Sequence, residues 1–188
     1  MQIRKNEKRI FRDLRIALGV VAFLWIVHAI NYLLIDLRSF GIHPRRIDGL
    51  WGIVCSPFLH GNLQHIIANS GALFVLLTIS LSFTRKLTVF ACITISLLGG
   101  SFVWLFGQSN TVHIGASGII FGLIGFLMCL GIFRREWKAF ILSLAVFLLY
   151  GGALFTLFMY TPGISWSGHF FGFLSGVLVA WWTRKKKM

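Results

Sequence analysis

Residues 115–133 read GASGIIFGLIGFLMCLGIF, an uncharged apolar run that opens on small and hydroxylic residues. At 1.5 Å of rise per residue, about 20 such residues cross the hydrocarbon core of a bilayer as a helix. Working outward from it, the chain divides into six runs of this kind: Ile16–Ile35, Leu63–Phe83, Leu87–Phe106, Gly115–Phe133, Ala139–Met159 and Ile164–Thr183. Composition agrees, with 57% apolar and 12% charged residues in a chain of 188, where a soluble domain carries about 45–50% and about 25%. Disorder, a collagen-like fibre and a disulfide-stapled scaffold are excluded, and a soluble globule is a poor fit. The expectation is an all-α integral membrane protein, a six-helix bundle over residues 16–183 between basic tails at 1–15 and 184–188.

Net charge is +13, from 18 Lys and Arg against 5 Asp and Glu. Fifteen of the basic residues fall in the N-terminal tail, the loops after spans two and four, and the C-terminal tail; only Arg38, Arg45 and Arg46 fall on the other side. Positive charge accumulates on the cytoplasmic side of membrane proteins, so both termini are expected there. Spans two, four and six then begin at the outer face. Basic clusters placed between apolar blocks set topology and touch anionic lipid, so no nucleic-acid partner is expected. The first run is longer than the roughly 7–15 residues of a signal-peptide core and no small-residue cleavage site follows. It reads as a retained helix, and the lack of an organelle-targeting segment favours a prokaryotic plasma membrane. Cys55, Cys92 and Cys129 are odd in number and show no CxxC spacing, so neither a disulfide framework nor a zinc site is implied.

Polar groups inside a bilayer are costly and usually functional. His65 and Asn69 stand four apart near the outer start of span two, hence on one helix face. Ser117 lies at the outer start of span four and His169 at that of span six. A serine nucleophile needs a base for its proton and donors for the oxyanion. Ser117 and His169 supply the pair. The span-four N-terminus offers unpaired N–H groups, to which Asn69 and His65 add donors. No clearly buried carboxylate is available in the spans, so this is a dyad, not a Ser-His-Asp triad.

Small residues four apart favour close helix approach. Gly118 and Gly122 in span four, and Gly168, Gly172 and Gly176 in span six, are so spaced and direct His169 toward the start of span four. Other chemistries find no motif: position 119 is isoleucine where a nucleophile elbow needs glycine, HExxH is absent, and no lysine or aspartate pair lies within a span.

His60-Gly-Asn-Leu-Gln-His65-Ile-Ile-Ala-Asn69, Gly115-Ala116-Ser117-Gly118 and His169-Phe-Phe-Gly172 with Gly176, in this order, resemble the rhomboid intramembrane serine proteases. The resemblance runs from the first outer loop to span six. It implies a compact six-helix bundle with Ser117 as nucleophile and His169 as general base. The Ser117 N–H, His65 and Asn69 would form the oxyanion site, with Gly115, Gly118, Phe121, Gly122, Gly172 and Gly176 packing around it. It further implies span five, with Gly151-Gly152, as a lateral gate. The implied substrate is a single-pass protein's membrane helix, cut near its outer end, with no cofactor and no metal. Oligomeric state is not implied.

Two positions depart from the family pattern. Trp51 is followed by Gly52 where members often have arginine, so the usual bracing of the first outer loop is missing there. Phe121 stands where some have tyrosine, and it can stack on His169 without adding a hydroxyl. Blander roles stand beside the sharp ones: His65 and Asn69 as anchors of that loop, His60 as structural, His113 as a loop or cap residue. Two other classes, a catalytically dead helix-binding relative and a small transporter, would respectively lack Ser or His and show inverted repeats or intramembrane acids.

Overall fold

No glycine or proline occurs before Gly19, and the first helix uses that freedom. α1 runs Gln2–Leu33, so residues 2–15 of the stretch expected as a tail form a helical extension of span one. The structure, a computed structural model, describes residues 2–158 and 165–185, with side chains from residue 7 onward. Asn31 ends α1 by accepting the Leu37 N–H at 2.7 Å.

The first loop is built from short turns: 3-10 helices at Arg38–Phe40, Ile47–Trp51 and Ser56–Phe58, and the short helix α2 at Gly52–Cys55. Ile47, Trp51 and Val54 are exposed on it. Its bracing comes from Arg45. The backbone of Arg45 is left-handed, at φ 60°, and its guanidinium donates to the carbonyls of Leu105 (3.0 Å) and Gly107 (2.8 Å) and to the Ser109 hydroxyl. A cation at a helix C-terminus also meets the negative end of the dipole. Trp104 Nε1–H donates back to the Arg46 carbonyl at 2.7 Å. The position after Trp51 has no room for a side chain: a Cβ at Gly52 would overlap the Gly41 carbonyl and the Ile42 nitrogen.

The expected spans 63–83 and 87–106 are joined in a single helical run, α3 at Leu63–Phe106, interrupted only at Thr84 (φ −156°, ψ 91°). The expectation of a separate loop was too generous, because one non-helical residue is enough to turn the chain. A straight helix of 44 residues would reach about 66 Å, twice a hydrocarbon core of about 30 Å. Ser80 and Thr88 clasp the bend, their hydroxyl oxygens 2.7 Å apart, and Thr88 donates to the Thr84 carbonyl. Asn62 caps the start of α3 by accepting the His65 N–H at 2.8 Å.

α4 spans Ser117–Arg134, α5 Trp137–Tyr150 and α6 Trp166–Thr183. Gly115 and Ala116, expected inside span four, precede α4. Span five, expected as one helix over 139–159, instead gives way at Gly151 to a 3-10 segment, Gly151–Leu157. Adjacent glycines weaken an α-helix there. The expected boundaries Met159 and Ile164 lie outside the described residues. Among the described residues there is no strand, only an isolated bridge between Ile42 and His113.

Four segments are long and apolar enough to cross a membrane: Glu7–Leu33, Leu63–Phe106, Ser117–Arg134 and Trp137–Leu157. In α4 56% of the apolar window is buried, against 17–22% in the other three, so α4 is the central helix. Leu123, Phe126, Leu127 and Leu130 are fully buried on it. α6 lies along α4 on a glycine seam. A Cβ at Gly172 would overlap the Gly118 carbonyl and one at Gly176 the Gly122 carbonyl; one at Gly122 would meet Ile95 of α3. Lipid tails are as apolar as leucine, so such backbone contact, not expulsion of water, holds membrane helices together. Ser143 ties α5 to the far end of α4, donating to the Leu127 carbonyl and accepting the Gly131 N–H.

Candidate active site

The glycine seam brings the starts of α4 and α6 to the same end of the bundle, where α3 also begins. Ser117 is the first residue of α4. The chain enters it through Gly115 at φ +118°, a conformation that favours glycine. Space demands glycine as well, since a Cβ would lie 2.6 Å from the His65 ring and 3.3 Å from Asn69 Nδ2. Gly115 is therefore the point where His65 and Asn69 touch the approach to Ser117, not a helix-packing glycine. Its N–H donates to the Ser56 carbonyl at 2.8 Å.

Asn69 is buried, and its amide nitrogen has no hydrogen-bond partner. Buried donors are nearly always paired, and this one lies beside Gly115 on the approach to Ser117. His65 packs edge-on against His60, ring centroids 5.1 Å apart. His60 is fully buried and outside the spans; burial foremost, with His65 nearby, pushes its pKa down to about 4. A neutral, enclosed ring fits its expected structural role.

His169, buried on the first turn of α6, stacks on Phe121 of α4 at 4.1 Å between centroids and 15° between planes. The other edge of the ring meets Thr156, whose hydroxyl oxygen is 3.4 Å from Nδ1. The Thr156 proton goes to the Ala153 carbonyl at 2.7 Å. Its oxygen is thus free to accept from Nδ1–H, which leaves the lone pair on Nε2. No hydrogen bond joins Ser117 to His169 among the described residues; catalytic contacts are often loose before substrate binds. A cavity of about 40 Å³ lies between these helix starts, lined by Gly115, Gly118, Gly168 and Gly172 among others, with room for about one water.

Ser117, His169, His65, Asn69 and Phe121 thus gather at one end of the bundle with the glycines that let them approach. Sequence reasoning missed Thr156 and Ser165. Ser165 caps α6 by accepting the Gly168 N–H at 3.0 Å, a feature that serine three residues before glycine at a helix start signals. Nothing local marks Thr156, because its partner belongs to another element. His28 makes its ring contacts with Trp25 and Tyr32 on its own helix, and His43 contacts the Ser39 carbonyl. No group of three or more metal-ligating side chains forms among the described residues.

A bent bundle of long apolar helices, with serine, histidine and amide side chains gathered at one end, defines a membrane-embedded all-helical protein. The Rhomboid domain family matches residues 48–186, and the chain belongs to that family. An uncharacterised protein of Mycobacterium tuberculosis is 37% identical over 175 residues, covering 87% of this chain and 72% of the relative. A Bacillus subtilis protein named "Putative rhomboid protease YdcA" is 27% identical over 182 residues, covering 89% and 90%. The RHOMBOID-like protein 5 of Arabidopsis thaliana is 29% identical over 153 residues, covering 74% and 47%. Family membership points to intramembrane protease activity.

Proposed function

We propose that this protein is an intramembrane serine endopeptidase that cuts the membrane-spanning helix of a single-pass protein near its outer end. Ser117 Oγ attacks the scissile carbonyl carbon while His169 Nε2 takes the hydroxyl proton. The oxyanion is held by the Ser117 N–H at the α4 start, by Asn69 Nδ2 and by His65. His169 then passes the proton to the leaving amine, the C–N bond breaks, and an acyl-Ser117 ester remains. Water, deprotonated by the same nitrogen, attacks that ester; the acyl C–Oγ bond breaks, His169 returns the proton to Ser117 Oγ, and the new carboxyl terminus is released. No cofactor or metal takes part.

The observation that carries this reading is Asn69: a buried amide donor without an acceptor, against the glycine two residues before Ser117. Burial of an unused donor costs about 1–3 kcal/mol, a cost repaid when an oxyanion arrives. α5 and its 3-10 extension, exposed along much of their length, would admit the substrate helix sideways. Both termini lie in the cytoplasm on this reading, because fifteen of 18 basic residues fall on their side.

The test is labelling of purified protein in detergent by a fluorophosphonate, together with cleavage of a membrane-spanning model substrate. Ser117→Ala and His169→Ala should each abolish both. Full cleavage by Ser117→Ala protein would remove the mechanism.

A further inference from the structure

His113 and Ser165 stand one helical turn ahead of Ser117 and His169, and both pairs are separated by 52 residues. The first pair is joined directly: His113 Nδ1 lies 2.7 Å from Ser165 Oγ. On its other edge, His113 Nε2 lies 2.9 Å from Thr111 Oγ1. The Thr111 hydroxyl proton is already committed to the Gln108 carbonyl, at 2.6 Å, so Thr111 accepts from the ring. This places the ring proton on Nε2 and leaves Nδ1 as an acceptor for the Ser165 hydroxyl. Ser165 in turn accepts the Gly168 N–H and so caps α6. Every proton in the chain from Gly168 to Gln108 has one destination, and the arrangement is complete only with a neutral ring.

The main chain of His113 is held too. It exchanges two hydrogen bonds of 3.0 Å with Ile42 of the first loop, and its Nε2 lies 3.2 Å from where a Cβ on Gly107 would stand. One buried side chain therefore ties the α3–α4 connection, which runs straight into Ser117, to the cap of the helix that carries His169.

We infer that His113, acting through Ser165, is a positioning residue that fixes the first turn of α6 against the start of α4. Its effect on chemistry rests on the protease reading; the clamp itself does not. Without it the α6 start loses its hydrogen-bonded tie to the α3–α4 connection and is held by the Phe121–His169 stack and the glycine seam alone on that side. A misplacement of about 1 Å costs on the order of 100-fold in rate.

The test uses the full chain with 15N-labelled histidine in detergent, comparing wild type with His113→Gln, His113→Phe, Ser165→Ala and Ser165→Thr. His113→Gln assigns the His113 signals, which should report a neutral ring protonated on Nε2. The His169 ring signals should move in Ser165→Ala and His113→Phe, and return in Ser165→Thr, which keeps the hydroxyl. On a membrane-spanning substrate, Ser165→Ala should lose about 10–100-fold in kcat with KM within about twofold, and Ser165→Thr should restore it.

A His113 ring protonated on Nδ1 overturns the clamp and needs no folded clamp variant to be seen. So do His169 signals that stay put in both Ser165→Ala and His113→Phe. Unchanged kcat in a folded Ser165→Ala overturns the positioning role. A wild type that cleaves nothing and leaves Ser117 unlabelled defeats the protease reading instead, and the tautomer and the His169 signals still decide the clamp.

Discussion

Asn69 and Thr156 border the candidate chemistry on different elements, one near Gly115 with an unused donor and the other at His169 with an acceptor. Asn69 Nδ2 has no partner to lose, so Asn69→Ala should lower kcat by about 10–1000-fold with little change in KM or in stability. A drop in thermal stability with kcat intact would assign the residue to structure. Thr156 works on His169. Its oxygen is the acceptor facing His169 Nδ1, and its loss lets the ring adopt the other tautomer. Thr156→Val should slow cleavage by roughly threefold to thirtyfold, and Thr156→Ser should recover most of it. Equal rates in the two variants would show that the hydroxyl does nothing. Because Thr156 sits on the 3-10 extension of α5, opening of that segment would also release the base from its partner.

The α4–α6 seam turns single atoms into element placement. Gly172 and Gly176 leave no space for a methyl group against the Gly118 and Gly122 carbonyls. Overpacking costs about 1–3 kcal/mol, and here it also separates the two helix starts. Gly172→Ala, nearer the site, should therefore lose both thermal stability in detergent and nearly all cleavage. Gly176→Ala, one turn further down, should lose comparable stability and less activity. The first loop depends on a different device. Arg45 spreads its guanidinium over the Leu105 carbonyl of α3, the Gly107 carbonyl just past it and a serine, a planar fork that lysine cannot copy. Arg45→Lys should destabilise nearly as much as Arg45→Ala, by about 1–2 kcal/mol in thermal unfolding.

Over the molecule as a whole, the buried histidines that lie outside the spans are built to stay uncharged. His60 and His113, both outside the spans, are held down to about 4: burial is the main cause in each, with His65 adding to it for His60 and His43 for His113. In the unfolded chain each binds a proton near its ordinary value of 6.5. Between about pH 6.5 and 4 the unfolded state holds more protons than the folded one, so stability rises with pH in this window. The melting temperature should be level above pH 6.5 and fall as pH drops toward 4, losing on the order of 2–3 kcal/mol per ring. His113→Gln should flatten part of that slope. A melting temperature that rose on acidification would contradict the assignment of these rings as neutral.

Apolar runs, basic clusters and the spaced glycines were legible in the chain because each acts locally: a helix must satisfy its own backbone in lipid, and charge resists crossing it. The common placement of Ser117, His169, His65 and Asn69 at one end was legible too, through their matched position at helix starts. Folding settled what depends on partners far away in sequence. Thr84 bends α3 where a loop was expected, since one residue's dihedrals can do the work of several. Arg45 braces the loop from a position no motif marks, because backbone carbonyls, its targets, carry no residue identity. The His113–Ser165 link and the Thr156 contact arise only when three separate elements converge, and hydrogen bonds between distant segments leave no period, spacing or composition to read.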